Sequence, residues 1–253
     1  MASTPSKTLM PTRRSSRIDR DGGHLRRAAL LELDGSLGIR LSEAQRAAAR
    51  RELIAPTMLI EAGERFDPRP IAGAMIVLVV SGTLGLRTVV GNGHSLEILT
   101  RGFVCSPLEE NPASFVDSAL IALTTSRVAI LDDRICQWPP IMSEIVSRLC
   151  QRSRSALAQK ALDSQAGLDR RVLFCLWHLA ERHGHCRPDG VEVPVPLTHE
   201  LLAEVMGAAR PSITTALAHL ASTGIVTRTH DRGWLLRPDS IDQLFDGDST
   251  PLD

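Results

Sequence analysis

The sequence predicts an α+β chain in three parts: a jelly-roll β-domain, a long central helix, and a helix-turn-helix followed by a two-stranded hairpin. Three observations lead there. Between 57 and 131, short runs rich in β-branched residues alternate with Gly, Pro and Asn turns, the pattern of a sandwich or barrel. After Trp138-Pro139-Pro140 an apolar stripe keeps a helical period for about six turns. Residues 197–236 then read as helix, sharp turn, helix and hairpin.

The elements follow in order. Residues 1–24 are rich in Ser, Thr, Pro, Arg and Gly without periodicity, so a disordered tail is expected. Over 1–27, Lys7, Arg13, Arg14, Arg17, Arg20, Arg26 and Arg27 outnumber Asp19 and Asp21 by five. A solvated tail is favoured over an arm that grazes nucleic acid. A short helix is expected over 25–33, and another from Ser42, its cap, to Leu53. Strands are expected at 58–60, 74–80, 84–90, 95–99 and 114–131, with turns at 62–64, 81–82, 91–93 and 110–112. These place the β-domain, with its N-terminal helices, at 25–137.

Prolines open the central helix, expected over 138–165. Its stripe is Ile141, Met142, Ile145, Val146, Leu149, Ala156, Leu157 and Ala161, opposite Arg148, Arg152, Arg154 and Lys160. Such a helix either packs on its own β-domain or seams a homodimer. The stripe favours the seam, with Ile141, Ile145, Leu149 and Ala156 as contacts. A further helix over 168–183 carries Val172, Leu173, Leu176, Trp177, Leu179 and Ala180. Residues 184–196 read as a loop around the turn Pro188-Asp189-Gly190. The last domain is expected over 166–245, with a tail at 246–253.

In the final segment Thr198 is a good N-cap and Glu200 places an acid in the first turn. Leu201, Leu202, Val205 and Met206 form a stripe, Ala203 is small where a second helix must pass, and Gly207 breaks the run. The second helix opens near Arg210, and Pro211 suits a first turn. Ile213, Ala216, Leu217 and Leu220 make one core face. Arg210, Pro211, Thr214, Thr215 and Ala218 make the other, flanked by Ser212 and His219. That narrow, polar face suits a DNA major groove. Residues 225–229, a turn at 230–233 and Trp234-Leu235-Leu236 read as the wing. A helical hairpin beside a small sheet, with no nucleic acid, is the bland alternative.

Composition sets bounds. A length of 253 residues allows two compact domains, and 43% hydrophobic with 23% charged is ordinary for a globular chain. No apolar run reaches membrane-span length and no secretory core follows the basic N-terminus, so a cytoplasmic location is expected. The five cysteines, Cys105, Cys136, Cys150, Cys175 and Cys186, show no CxxC spacing, so reduced thiols are expected. The formal net charge is zero. Over 197–237, Arg210, Arg228, Arg232 and Arg237 outnumber Glu200, Glu204 and Asp231 by only one. Phosphate contacts supply much of DNA affinity, so one such module should bind weakly and a dimer is expected.

The order of β-roll, central helix and winged helix-turn-helix resembles the cyclic-AMP receptor protein/FNR (Crp/Fnr) superfamily of bacterial transcription regulators. The resemblance covers roughly 50–240 and is most specific over 168–236, in LDRRVLFCLWHLA, PDG and LTHELLAEVMGAARPSITTALAHL. It implies a cyclic-nucleotide-binding-like β-roll, a homodimer on a two-fold DNA site, RNA polymerase as a further candidate partner, and no catalysis. The family's leading Arg falls on Arg210, where a bidentate contact to guanine is the expected chemistry. Pro211 stands where cyclic-AMP-responsive members often have Glu, and Thr215 where they have a second Arg; Thr215 is the candidate for a thymine methyl. Ser212 and Thr198 match phosphate-contacting hydroxyls, and Glu200 replaces a neutral residue. Arg228 and Arg232 are expected to touch the DNA backbone from the wing.

The sensor half departs from the pattern. The family's Gly-Glu step is absent from Arg101-Gly102-Phe103-Val104-Cys105-Ser106-Pro107, and Asp117-Ser118 stands in place of its Arg-Ser pair. Two like charges at ~4 Å repel by ~1 kcal/mol even in water, so cyclic AMP is not expected to bind. Cys105, Asp117 and Ser118 mark the effector pocket, whose effector is unknown or absent. No cysteine lies in 1–104, which excludes the family's N-terminal iron–sulfur cluster.

Other chemistry is thin. His178, His183, His185 and Cys186 crowd one segment, but not at closed-site spacing, so no metal is expected. Gly93-His94 with Glu97 faintly resembles a cupin metal site lacking its second histidine. The rival reading is therefore a cupin-like small-molecule sensor or metalloenzyme with a helical partner-binding tail. No Ser/His/Asp order, P-loop or dinucleotide fingerprint appears, and neither an enzyme nor a cofactor is expected.

Overall fold

The computed structural model describes residues 26–68, 71, 73–91, 93–106, 116–165, 167–193, 195–230 and 233–242. The expected tails at 1–24 and 246–253 lie outside them. The contacts divide the chain into two units. One holds residues up to Arg87 together with Leu99–Met142; the other holds Thr88–Ile98 and the chain from Ser143 onward.

The first unit begins with β1 (Arg26–Ala29), one turn of α1 (Leu30–Leu33), and α2 (Glu43–Glu52). Where a helix was expected over 25–33, four residues extend instead. They pair antiparallel with β2 (Ile54–Ile60), Arg26 opposite Thr57 and Ala29 opposite Ile54. Tertiary pairing overrides the local preference of this Arg/Ala/Leu run. The Ser42 cap is present as a complete capping box: Ser42 Oγ accepts from Gln45 N at 3.3 Å and Gln45 Oε1 accepts from Ser42 N at 2.9 Å.

The strands continue with β3 (Arg65–Phe66), β4 (Ile76–Ser81), β5 (Thr83–Val90), β6 (Gly93–Thr100), β7 (Val104–Cys105), β8 (Val116–Ala122) and β9 (Ser126–Leu131). They form a sheet of order β1-β2-β9-β4-β7 and another of order β3-β8-β5-β6. Ile60, Phe66, Val77, Val79, Leu84, Leu120, Val128 and Ile130 build the core of this unit. The run expected over 114–131 is broken in two by hydroxyl chemistry. Thr124 Oγ1 accepts from Thr83 N at 2.9 Å, and Ser126 Oγ donates to Thr124 O at 2.7 Å. Those bonds turn the chain between β8 and β9.

The second unit takes the tip of the β5–β6 hairpin, α3 (Pro139–Gln165) from Ser143 on, and α4 (Leu168–His183). Arg152 on α3 grips Glu97 on β6 through two bonds of 2.6 Å. This carboxylate of the cupin-like pattern is thus matched to a guanidinium fork. Next come β10 (His185–Arg187), β11 (Gly190–Val193), α5 (His199–Met206), α6 (Arg210–Ser222), β12 (Val226–Arg228) and β13 (Trp234–Leu236). The loop expected over 184–196 is a hairpin instead. β11 joins the wing, Val191 opposite Leu236 and Val193 opposite Trp234, giving a sheet of order β10-β11-β13-β12. Gly190 permits it: its φ is +154°, and a Cβ there would strike the Leu236 carbonyl oxygen. Glu192, buried in this sheet, accepts from Arg187 Nε at 2.6 Å, so its charge is paired. Val172, Leu176, Leu197, Leu202, Ile213, Leu217, Val226 and Leu236 form one core beneath the helices and wing.

Candidate nucleic-acid interface

Local chemistry sets α5. Thr198 is extended, and its hydroxyl accepts from Leu201 N at 3.1 Å, satisfying a donor the first turn leaves open. At the other end Gly207 turns left-handed at φ 59°, and Ala208 N reaches back to Ala203 O at 3.0 Å. Arg171 of α4 donates from Nη2 to the Met206 carbonyl at 2.6 Å, setting a cation at the negative end of α5. Ala203 is buried at 8% exposure, so α6 can pass close.

Helix α6 starts at Arg210 with Pro211 in its first turn, where the missing N–H has no partner to lose. Ile213, Ala216, Leu217 and Leu220 are buried, and Arg210, Pro211, Ser212, Thr214, Thr215, Ala218 and His219 are exposed. The structure thus brings the expected polar face together on one side of one helix. Two hydroxyls on it are turned inward: Thr214 Oγ1 donates to Arg210 O at 3.1 Å and Thr215 Oγ1 to Pro211 O at 3.2 Å. At one flank His219 Nδ1 lies 2.6 Å from Asp169 Oδ2 of α4. At the other, His199 Nδ1 lies 3.0 Å from Thr214 Oγ1.

The wing is anchored through one carbonyl. Leu197 O accepts from Arg228 Nη1 at 2.9 Å and from Trp234 Nε1 at 3.3 Å. The Arg228 guanidinium lies 4.3 Å from the Trp234 ring centroid, a cation–π contact. His199 stacks on the same indole, with ring centroids of His199 and Trp234 6.3 Å apart. Arg228, expected at the DNA backbone, is here the residue that holds the wing to the entry of α5. Arg232 lies outside the described residues. Sequence reasoning missed His199, Arg171 and the Leu197 carbonyl. Only the position of His199 directly after the cap hinted at a role, because its partners lie 15 and 35 residues downstream.

The positions expected at a seam divide. Ile141 and Ile145 are fully buried within the chain, Leu149 is half-buried and Ala156 is exposed. The large exposed apolar side chains of α3 are Val146 and Leu157, at 48% and 67%. The expected effector residues stand on different sheets. Cys105, on β7, is buried among Val77, Phe103 and Ile130, whereas on β8 Asp117 is exposed and Ser118 half-buried. Of the histidine-rich segment, His178 faces Glu181 at 3.9 Å and both His185 and Cys186 are exposed; the His183 side chain lies outside the described residues. Among the described residues no group of three or more His, Cys, Asp or Glu is placed to hold a metal ion.

Residues 170–244 match the family model of the Crp-like helix-turn-helix domain. No curated protein sequence matches the chain significantly. Among solved structures, a CooA mutant from Carboxydothermus hydrogenoformans is similar at a TM-score of 0.62 and 16% identity, over 87% of this chain and 96% of that one. FixK2 from Bradyrhizobium japonicum is similar at 0.60 and 17%, over 79% and 100%. A CRP/FNR-family transcriptional regulator from Thermus thermophilus is similar at 0.54 and 18%, over 76% and 98%. At these identities the likeness is one of fold: β-rich part, central helix and helix-turn-helix in the same order.

Proposed function

We propose that this chain, which carries a Crp-like helix-turn-helix domain on the fold of CRP/FNR regulators, is a homodimeric, sequence-specific DNA-binding transcription regulator. One observation carries the reading: α6 presents Arg210, Pro211, Ser212, Thr214 and Thr215 on one exposed face, above a fully buried opposite face. Arg210 supplies the fork of donors that suits guanine O6 and N7. Thr215, its hydroxyl proton held by Pro211 O, offers a methyl and an acceptor to the groove. Ser212, the exposed Thr198 and the wing residue Arg228 flank that face as phosphate contacts, and Arg232, outside the described residues, is assigned the same role from the sequence.

Dimerisation supplies the affinity that a nearly neutral reader lacks. Met142, Val146, Leu149, Ser153 and Ala156 recur on α3 in alternating steps of four and three residues, with Leu157 beside them. That is the spacing of a two-helix seam, and it lies next to the stripe buried at Ile141 and Ile145. A carboxylate at Asp117 disfavours a cyclic phosphate, so DNA binding proceeds without cyclic AMP.

The experiment is selection of duplexes from a random pool, followed by mobility shifts with Arg210→Ala. A two-fold site is expected, with preference at one guanine per half-site relaxed by the substitution at a cost of about 1–3 kcal/mol. Unchanged preference in the variant defeats the role of Arg210; a monomer that retains no duplex defeats the whole reading.

A further inference from the structure

We propose that His199 is a positioning residue that makes Thr214 a reader of the thymine methyl group, an inference that rests on the DNA-binding reading above. Thr214 lies one turn after Arg210 on the exposed face of α6. A threonine in a helix divides between two rotamers, because its hydroxyl can bond the carbonyl one turn back. Here it does so, donating to Arg210 O at 3.1 Å. The hydroxyl has a single proton, so with that proton on Arg210 O the 3.0 Å contact to His199 Nδ1 makes the imidazole the donor. One oxygen is thereby held from two sides, and the rotamer is set.

The imidazole is itself held. It stacks on Trp234, whose Nε1 donates to Leu197 O and whose ring lies against Arg228. The wing, the entry of α5 and the reading face of α6 are thus joined by side-chain contacts. The chemical result is selectivity. Thr214 has no hydroxyl proton left for a base acceptor, and the group it turns to the groove is its methyl. A methyl packs on the thymine C5-methyl. It gains nothing from cytosine, whose distinguishing group is an amino donor.

The test uses the full chain and its selected duplex, with each thymine of the half-site replaced in turn by deoxyuridine, which lacks only the methyl. At one position the wild type is expected to lose about fourfold in affinity, the worth of one buried methyl group. Thr214→Val keeps the methyl and should keep that ratio; Thr214→Ser lacks it and should bring the ratio to one. His199→Phe keeps the ring on Trp234 but cannot donate, and should lower the ratio while the melting temperature stays near that of the wild type. His199→Gln restores an N–H donor and should recover part of it. Arg210-dependent sequence preference with no deoxyuridine effect at any position overturns this inference alone, as does a Thr214→Ser or a His199→Phe variant that discriminates like the wild type. Failure to hold any duplex overturns it together with the regulator reading.

Discussion

Removing the Arg228 side chain separates two roles that one residue can hold. The guanidinium lies 4.3 Å from the Trp234 centroid and donates to Leu197 O at 2.9 Å. An exposed cation–π contact is worth about 0.5–1 kcal/mol. A hydrogen bond from a charged donor is worth about 1.5 kcal/mol at the low end of its range. The low end applies because Trp234 Nε1 remains on the same carbonyl, so no buried acceptor is orphaned. Arg228→Ala should therefore destabilise the C-terminal unit by about 2 kcal/mol, a tens-fold change in its folded-to-unfolded ratio. Urea unfolding followed by tryptophan emission in a Trp138→Phe background reads this, since Trp138 lies in the first unit while Trp177 and Trp234 both lie in the second. The salt dependence of DNA binding reads the other role: losing one phosphate contact lowers the logarithmic slope by about 0.9. A variant that unfolds within about 0.5 kcal/mol of the wild type refutes the wing anchor, and a lowered slope would then assign Arg228 to phosphate alone.

Gly190→Ala should be among the most damaging single substitutions, by about 3 kcal/mol or more, because the φ of +154° and the Leu236 carbonyl both oppose a Cβ. Gly35→Ala, with nothing within 4 Å of its Cβ, is the control that should melt near the wild type by circular dichroism. Thiol titration of the native chain should find three fast cysteines, Cys136, Cys150 and Cys186, with buried Cys105 and Cys175 reacting only after unfolding; fast labelling of a Cys175-only variant would refute that burial. Burial pushes the Cys175 thiol up to about 12, so the unfolded chain releases this proton first as pH rises. Stability from this group is complete below about pH 8.5, the unfolded thiol's range, and declines towards pH 12. Cys175→Ala should flatten the alkaline fall of the urea midpoint, and an unchanged fall counts against the assignment.

The helix-turn-helix was legible because its signals are local. A cap at Thr198, a left-handed glycine at Gly207 and a first-turn proline at Pro211 each act within one turn of backbone. The apolar period of α4 and α6 likewise follows from 3.6 residues per turn. The longer strands between 57 and 131 were legible in position, but the two-residue strands β3 and β7 were not, nor was the break between β8 and β9, where Thr124 and Ser126 bond to Thr83, 41 and 43 residues away.

What the amino-acid order determined was therefore the order of the three parts, the helices from α3 to α6 and the exposed face of α6. Tertiary structure alone decided that 185–193 is a hairpin completing the wing sheet, because its strand partner lies some 45 residues downstream. It alone decided which side of α3 is buried: Ile141 and Ile145 share a stripe with Val146 and Leu157 in sequence, and only packing divides them. It also set His199 against Thr214 and Trp234. Helical period and capping act over one turn, whereas sheet partners, buried faces and side-chain bonds between elements exist only once distant segments meet.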